Sequence, residues 1–433
     1  MRSGIRLRWL AMHGVPRAYL SARARGGDPL ARILMGRGQW GDPYPHLEAI
    51  RRRGRLVRTR FVAMTVDHEI SRMVMRDNRF GAATRTNLAL PGPLSALIRR
   101  TDPGLPNPVE PPAMVQVDPP QHTQYRRLVA QSFTPRAVDR LSERISQVTG
   151  ELLDRLDANP QPDLIADYAE LLPIAIIAEL LGVPADSYPQ FLEWGHRGTA
   201  LLDVGIGWPL YRDALEGLRE LDLYLREHFD RLRRTQPGDT PFHRLAASGD
   251  MTYRELAANA SLLLGAGFET TVNLIGNGIA LLREHPEQLQ LLRDDPGLWP
   301  AAVEEILRFR SPVQMTARIA MEDIEIDGFC LAKGESVVAL LGGANRDPRV
   351  FEHPDRFDIT RPNAREHLAF GTGVHACIGA ALARIEGVTA LRGLFDRYPE
   401  LVLTAVPEPR ALVNLHGYAR LSARLGPRAA ATV

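Results

Sequence analysis

Apolar side chains recur at helical spacing through most of the middle of the chain. Between residues 138 and 158 these positions are Val138, Leu141, Ile145, Val148, Leu152, Leu153 and Leu156. Intervals of three and four residues place them on one face of a helix. The pattern predicts an amphipathic helix here, and similar patterns elsewhere make helix the dominant element.

The longest predicted helix begins at Thr252 and ends before Pro286. Thr252 and Glu255 have the spacing of a capping box, in which each side chain accepts a hydrogen bond from the other residue's backbone amide. About 33 residues at 1.5 Å each give roughly 50 Å, enough to cross a globule of this size. The stretches 262–266 and 272–279 are apolar on nearly all sides, which predicts a buried central helix.

Shorter elements surround the long helix. Residues 56–66 predict a small β-hairpin, and short runs such as 337–341 predict further strands. Residues 299–310 and 378–398 predict helices, whereas residues 83–114 are rich in Pro, Gly and Asn and predict a long loop with one short helix. The expected fold class is therefore mainly α with small β-sheets.

Length and charge limit the possible functions. The chain has 433 residues, a formal net charge of +2 and no compositional break, so we expect one domain over residues 1–433. The balanced charge does not favour nucleic-acid binding. Lys333 is the only lysine, and codon usage explains the abundance of arginine better than function does.

Cysteine usage and hydropathy indicate the compartment. Cys330 and Cys377 are too few for a disulfide framework and suit a reducing environment. Arg6 and Arg8 interrupt the apolar positions near the N-terminus. The sequence contains no run of about 18 apolar residues, which is the length needed to span a bilayer. Residues 5–12 could lie on a membrane or on the protein's own surface, and the second is the simpler interpretation. We expect a cytoplasmic protein with no transmembrane anchor.

The strongest chemical signal is the segment FGTGVHACIG, residues 370–379. Two glycines before Cys377 let the backbone approach a flat cofactor and turn amides toward the sulfur. Such amides tune an iron bound by a thiolate, and the start of the last helix favours the thiolate form. A buried structural thiol is the alternative. A zinc site with His375 is disfavoured because no second Cys/His pair has suitable spacing.

Residues 370–379 resemble the haem-binding loop of cytochrome P450 enzymes. Other motifs follow in that family's order, so that the resemblance covers roughly residues 40–425: DPP at 118–120 followed by His122 and Arg126, AGFETT at 266–271, EILR at 305–308, ANRDP at 344–348, and Phe357, Asp358 and Arg361. The runs WLAMHG and GFETTVNLIGNGIALL resemble a subgroup from mycobacteria and related actinobacteria. The resemblance implies a triangular prism with haem between the long central helix and the Cys377 loop, preceded by an N-terminal extension over residues 1–40.

The resemblance also implies a set of haem contacts, with haem b as the cofactor and Cys377 as the iron ligand. The other backbone and ring contacts would be Ala266, Gly267, Phe370, Gly371 and Gly379. Haem carries two propionates that need cations or donors when they are buried. The residues that match the family's propionate contacts are His122, Arg126, Arg318 and His375.

Thr270 and Glu269 are the expected catalytic pair. From its position within the helix, the Thr270 hydroxyl can donate to the carbonyl of Ala266, and Gly267 weakens the helix beside it. In the resembled family this distortion makes a groove for dioxygen, where Thr270 would hydrogen-bond O2 and Glu269 would relay protons. Because a buried carboxylate without a partner is costly, either a proton path or a salt bridge must explain Glu269. Phe268 stands where many bacterial members have His.

Glu305 and Arg308 are expected to act structurally. They are three residues apart on one helical face and can touch. The resemblance adds Arg361 as a third member and implies that the group braces the loop that carries Cys377.

The resemblance implies a monooxygenase that inserts one atom of O2 into a lipophilic small molecule, by hydroxylation or epoxidation. The chain contains no cysteine cluster and no GxGxxG after a strand, so electrons must come from separate partners, expected to be a ferredoxin and its reductase. Arg127, Arg136 and Arg140 could dock such a partner, although solvated surface charge explains them equally. We expect a monomer. A non-catalytic haem sensor or carrier is the alternative of another class.

Residues 83–114 and 188–236 are where the resembled family admits substrate. The stretches 84–114, 194–211 and 313–316, where the resembled family builds its pocket, are mostly apolar. This composition suits a polyketide or macrolide, a steroid, terpenoid or fatty acid would fit as well, and plain core packing would give the same pattern. The expected pocket residues are Leu88, Leu94, Leu97, Ala266, Val313 and Gln314.

Overall fold

The computed structural model describes residues 2–36, 42–59, 62–84, 92–234 and 241–429, and most of them are helical. The helices are α1 Arg2–Trp9, α2 Val15–Arg25, α3 Pro29–Met35, α4 Tyr44–Arg51, α5 His68–Arg76, α6 Gly92–Arg100, α7 Gln121–Ala130, α8 Pro135–Leu156, α9 Leu171–Leu180, α10 Tyr188–Thr199, α11 Trp208–Arg234, α12 Pro241–Ser248, α13 Tyr253–Glu284, α14 Pro286–Asp294, α15 Trp299–Phe309, α16 Leu341–Ala344 and α17 Ala380–Arg397.

The strands form one five-stranded sheet and three two-stranded sheets within the described ranges. They are β1 Val57–Arg58, β2 Val62–Thr65, β3 Phe80–Ala82, β4 Thr316–Ala320, β5 Ile324–Ile326, β6 Phe329–Leu331, β7 Ser336–Ala339, β8 Val402–Leu403, β9 Glu408–Pro409, β10 Tyr418–Arg420 and β11 Ala423–Arg424. The large sheet has the order β1-β2-β7-β4-β3. Strands β1 and β2 pair antiparallel with Val57 opposite Met64, so the predicted hairpin is confirmed.

Helix α13 runs through the largest hydrophobic core and packs against α9, α10, α15 and α17. The predicted capping box is present, because the Thr252 amide donates to Glu255 Oε2 at 2.8 Å and the Glu255 amide donates to Thr252 Oγ1 at 3.4 Å. Residues 272–279 are buried as expected. Residues 262–266 are buried or half-buried except for Ala266, an expected haem contact, which is exposed in the middle of the helix.

The remaining helix predictions differ from the structure mainly at their ends. Helix α8 starts three residues before the predicted 138, and α17 starts two residues after the predicted 378. Gly379 is the N-cap of α17, so the turn that contains Cys377 precedes the helix. Helix α6 is the short helix expected within residues 83–114, of which 85–91 lie outside the described residues.

The N-terminal helices lie against the regions expected to admit substrate. Helix α1, a π-helical turn over Leu10–Gly14 and α2 follow each other directly, and α1 packs on α6 and α11. The buried Arg8 pairs with Glu110, and Trp9 Nε1 donates to the Ile206 carbonyl at 3.0 Å. One face of residues 5–12 therefore packs on the protein itself, as expected, whereas Leu7 and Leu10 on the other face are exposed. In the described ranges, no helix has the length and apolar character needed to cross a membrane.

Candidate active site

The loop that carries Cys377 is closed by its own backbone. The Cys377 amide donates to the Phe370 carbonyl at 2.9 Å, and the Ala376 amide donates to the Gly373 carbonyl at 3.1 Å. Gly373 has a φ of 74° and lies so close to the end of α5 that a Cβ would overlap the Met75 carbonyl oxygen. The loop geometry therefore requires glycine at this position.

The surroundings of Cys377 influence the pKa of its thiol in two opposite directions. The residue is exposed, yet burial is the largest influence on its thiol and raises the pKa. The Gly379 amide donates a hydrogen bond that lowers the pKa, and the charges of Arg126 and Arg384 act in the same direction. These groups stabilise a thiolate.

Two imidazoles are in contact beside this loop, with their ring planes inclined at 59° to each other. The rings of His122, on α7, and His375 have centroids 4.3 Å apart. Both Nε2 atoms are buried, and neither has a hydrogen-bond partner among the described residues. Burial and the nearby charges of Arg318 and Arg126 lower the pKa of both histidines, that of His375 to about 3. Both rings are therefore neutral at pH 7.

Arg318 and Arg126 make the surroundings of the two rings positive. Arg318 is buried on β4 and donates to Thr316 Oγ1 and to the Ala317 carbonyl, at 3.2 and 2.9 Å. Neither arginine has a carboxylate within ion-pair distance in the described part of the chain. Asp118 acts on Arg318 from farther away, and its Oδ1 lies 3.9 Å from His375 Nε2, beyond hydrogen-bond distance. Two cations beside two unpaired ring nitrogens suit carboxylate ligands, so these residues fit the propionates of haem.

Thr270 lies on the accessible stretch of α13. Its hydroxyl donates to the Ala266 carbonyl at 2.7 Å, which is the interaction that the sequence predicts. Thr271 makes the same contact with Gly267 at 3.1 Å. Gly267 packs tightly, since a Cβ there would overlap the Ile177 side chain of α9. In this structure, α13 remains a continuous helix through these residues.

Glu269 belongs to a buried ion-pair group, the Glu269 cluster, formed by Glu170, His196, Glu269 and Arg410. Arg410 NH1 donates to Glu269 Oε1 at 3.0 Å and lies 2.9 Å from Oε2 without hydrogen-bond geometry. Arg410 NH2 and His196 Nε2 contact the same Glu170 oxygen, at 2.8 and 3.0 Å. A salt bridge therefore accounts for the burial of Glu269, which is one of the two explanations that the sequence left open.

The protonation of Glu269 is finely balanced. Its side chain is fully buried, and burial raises the pKa of the carboxyl despite the opposing charges of Arg410 and His196. The negative charge of Glu170 raises it further, whereas the pKa of Glu170 itself is lowered by hydrogen bonds and charges from His196 and Arg410. Arg410 is thus shared by the two glutamates, and His196 contributes most to lowering the pKa of Glu170.

Glu305, Arg308 and Arg361 form a second buried group, the Glu305 cluster. Arg308 donates to both Glu305 oxygens at 2.7 and 2.8 Å, and Arg361 Nε donates to Oε1 at 3.3 Å. The Asp358 amide adds a bond to Oε1 at 3.0 Å. Arg308 also donates to the Asn345 carbonyl at 2.9 Å, on the segment that leads to the Cys377 loop. These bonds link α15 to the chain before that loop.

The other predicted site residues occupy varied positions. Phe370 lies under the guanidinium of Arg384, 4.6 Å from the ring centre. Leu94, Leu97 and Val313 are half-buried. Gly371 adopts a φ of 63° in the loop. Leu88 lies outside the described residues.

Gln314 lines a recess of about 600 Å³ together with Met315, Arg410, Leu412 and His416. The Gln314 side-chain amide is hydrogen-bonded within the same chain segment, because Nε2 donates to the Ser311 carbonyl at 2.7 Å. Neither Cys377 nor Thr270 borders the recess. We therefore assign the chemistry to the residues around Cys377 and regard the recess as separate.

Sequence reasoning missed Arg410, His196, Glu170 and Glu386. Glu386 is buried on α17 and receives only a 3.4 Å hydrogen bond, from Thr271, among the described residues. Burial raises its pKa to about 8. An acidic residue on the core-facing side of a helix is a usable signal for Glu386, whereas nothing local marks Arg410, which reaches Glu269 from a distant hairpin.

Comparisons with known proteins identify the family. The family model "Cytochrome P450" matches residues 297–409. "Putative cytochrome P450 140" of Mycobacterium tuberculosis is 44% identical over 430 residues, 98% of each chain. 6-Deoxyerythronolide B hydroxylase of Saccharopolyspora erythraea is 42% identical over 291 residues, covering 66% of this chain and 70% of that one. The crystal structure of ligand-free CYP164A2 from Mycobacterium smegmatis superimposes with a TM-score of 0.81 at 34% identity, over 92% of this chain and 99% of that one.

The chain belongs to the cytochrome P450 family, and its fold is the P450 fold. More particularly, it is a bacterial P450 with relatives in mycobacteria and other actinobacteria, and it is a monooxygenase. Family membership implies a haem iron cofactor, O2 as a substrate, electrons from redox partners and a hydrophobic organic substrate.

Proposed function

We propose that this enzyme oxygenates a polyketide-type or macrolide-type metabolite at a haem b held by Cys377. The observation that carries the haem assignment is the positive pocket of Arg126 and Arg318 around the unpaired ring nitrogens of His122 and His375. Cys377, whose thiolate is favoured by Gly379, would supply the axial ligand. Bound haem would supply activation of O2 under the influence of a thiolate.

The catalytic roles fall to Thr270 and Glu269. Thr270, whose hydroxyl donates to the Ala266 carbonyl in this structure, would turn that single donor hydrogen toward O2. Glu269 would take up and release a proton at Oε2, the oxygen without a hydrogen bond among the described residues. Its raised pKa supports that role, since a proton relay works best when its pKa lies near the working pH.

The substrate class rests on the relatives and on the lining. 6-Deoxyerythronolide B hydroxylase acts, by its name, on a macrolide precursor, and it shares 42% identity over 291 residues. Leu94, Leu97 and Val313 would contribute an apolar surface. The enzyme would form one domain over residues 1–433. Residues 83–114 and 188–236 would be the regions through which the substrate enters.

Electron delivery and location complete the proposal. We expect a ferredoxin and its reductase to deliver electrons to a monomeric enzyme. Arg127 and Arg140 are exposed and could contact an acidic ferredoxin. Cys330 and Cys377 are both free thiols, which suits the cytoplasm.

Two measurements test the proposal. Reduced protein with carbon monoxide should give the absorption band of a thiolate-ligated haem, and Cys377→Ser should lose that band. A library of macrolides, steroids and fatty acids should then be screened by the shift in haem spin state, with turnover measured with ferredoxin and reductase. A thiolate band in the Cys377→Ser protein would refute the ligand. A response to steroids or fatty acids but not to macrolides would refute the substrate class.

A further inference from the structure

The first helical segment of the chain is unusually basic. Residues 1–27 contain six of the 53 basic residues and none of the 51 acidic residues. Of those six, Arg8 is buried and paired with Glu110, whereas Arg6, Arg17, Arg23 and Arg25 are exposed. Arg23 pairs with Asp28 at 3.0 Å, whereas Arg6, Arg17 and Arg25 have no carboxylate within ion-pair distance among the described residues.

Exposed apolar side chains accompany this charge. Leu7, Leu10 and Val15 are 48%, 47% and 60% exposed. The described part of the chain has eleven exposed large apolar residues. Three of them, Leu7, Leu10 and Val15, lie within only nine consecutive positions. Leu210, 41% exposed, begins the neighbouring α11. A concentration of this kind marks an interaction surface more often than chance exposure does.

The opposite side of the same segment is firmly attached. Ile5 and Trp9 pack on the hydrophobic cluster around Leu201 and Tyr211. Arg17 NH1 donates to the Gly205 carbonyl at 3.1 Å. The segment thus has one face that belongs to the fold and another face that no described residue covers.

We propose that this outer face, the N-terminal basic surface formed by Arg6, Leu7, Leu10, Val15 and Arg25, docks the enzyme onto an anionic lipid membrane. Arginines beside leucine and valine, without an acidic residue, are the composition of helices that lie in a bilayer interface. An acidic protein would pair with the arginines but would leave the three apolar side chains without a matching environment.

Docking in this orientation would set the access regions at the membrane. The attached face of α1 holds Glu110 and Ile206, one from each of the two regions proposed to admit substrate. A lipophilic molecule dissolved in the bilayer would then enter without crossing water. The surface itself rests on the exposed residues alone and does not depend on the substrate class.

Vesicle flotation of the haem-loaded full-length enzyme tests the proposal. Vesicles of phosphatidylcholine with about 30% phosphatidylglycerol should carry the enzyme upward, whereas pure phosphatidylcholine should not. Arg6→Gln/Arg25→Gln should raise the lipid concentration for half-binding about 30-fold, at about 1 kcal/mol per charge. Leu7→Ser/Leu10→Ser should raise it at least about tenfold, because the inserted apolar area is lost.

Matched controls separate docking from general charge and from misfolding. Arg52→Gln/Arg53→Gln removes two exposed charges just after α4, and Leu223→Ser/Leu291→Ser removes two exposed leucines elsewhere. Both should bind like the unchanged protein. Every variant should keep its carbon monoxide spectrum and thermal midpoint.

Three outcomes would overturn the proposal. They are equal binding to neutral and anionic vesicles, equal losses in the control variants, and binding that survives Arg6→Gln/Arg25→Gln. An immobilised acidic acyl carrier protein is tested in parallel. If it retains the enzyme through these arginines while vesicles do not, the surface is for an acidic protein and the membrane assignment is wrong.

Discussion

The Glu305 cluster and the Glu269 cluster each enclose a glutamate with no accessible side chain, but they treat its charge in opposite ways. Glu305 accepts hydrogen bonds from two arginines and a backbone amide at 2.7 to 3.3 Å. Glu269 shares one arginine with Glu170, has an oxygen without a hydrogen bond in the described structure, and has a raised pKa. The first is suited to a permanent charge and the second to a charge that can change.

The largest effect is expected when the Glu305 cluster loses its main cation. Arg308→Leu leaves Glu305 buried with Arg361 as its only cation, so the free energy of unfolding should fall by about 3 to 5 kcal/mol. Urea denaturation of the haem-loaded protein measures this. Arg392→Leu, which breaks the exposed pair with Asp396, should cost less than about 0.5 kcal/mol. Equal losses of unfolding free energy in Arg308→Leu and Arg392→Leu would mean that the buried Glu305 cluster stabilises the protein no more than an exposed ion pair does.

A third buried glutamate extends the comparison to pH. Burial raises the pKa of Glu386 from 4.5 to about 8, so the folded protein holds this proton more tightly than the unfolded chain does. The free energy of unfolding should therefore decrease as the pH rises from about 4.5 to about 8, by up to about 1.4 kcal/mol per pH unit.

Glu386→Gln should remove this contribution. The difference in unfolding free energy, variant minus unchanged protein, should rise with pH across that window, and denaturation series at several pH values would detect it. A constant difference would mean that Glu386 is already ionised. Glu400→Gln, on an exposed loop residue, is the control.

A smaller and pH-dependent effect is expected at Arg410. Arg410→Leu should cost about 1 to 3 kcal/mol at neutral pH, less than Arg308→Leu, because Glu269 can take up a proton when its cation is removed. The loss should shrink as the pH falls below about 4.5, because Glu269, whose pKa is raised, is then protonated in the folded protein, whereas Glu170, whose pKa is lowered, keeps its charge longer. Adding Glu269→Gln should recover part of the stability. No recovery would mean that Arg410 acts through Glu170 alone.

The smallest change in stability is expected at the residues proposed for proton transfer. Glu269→Gln and Thr270→Ala should each alter the free energy of unfolding by less than about 1 kcal/mol. The fraction of electrons recovered in oxygenated product should nevertheless fall several-fold, and Thr270→Ser should retain most of it. Unchanged coupling in Thr270→Ala would refute the role given to its hydroxyl.

The sequence predicts well where a few neighbouring residues determine the geometry. The capping box at Thr252 and the contact of Thr270 with the Ala266 carbonyl follow from spacing within one helix. The pairing of Glu305 with Arg308 follows in the same way. Helix boundaries are less certain, as the later start of α17 illustrates.

The partners of Glu269 could not be predicted, because they come from distant parts of the chain. Arg410 lies 141 positions away, and Glu170 reaches the same guanidinium from before α9. Only the tertiary arrangement brings the three together. The sequence could state that a buried glutamate needs a partner, but it could not name one.

The close approach of Gly373 to Met75 affects how the protein is made. The chain segments that meet here are about 300 positions apart, as is also true of the bond between His68 and the Glu366 carbonyl. Strand β2 likewise pairs with β7 near the far end of the chain. During synthesis, the edge of β2 that pairs with β7 therefore stays unpaired until residues 336–339 have left the ribosome. Assembly of the Cys377 loop is thus a late event in folding, and chaperones have a long interval in which to act.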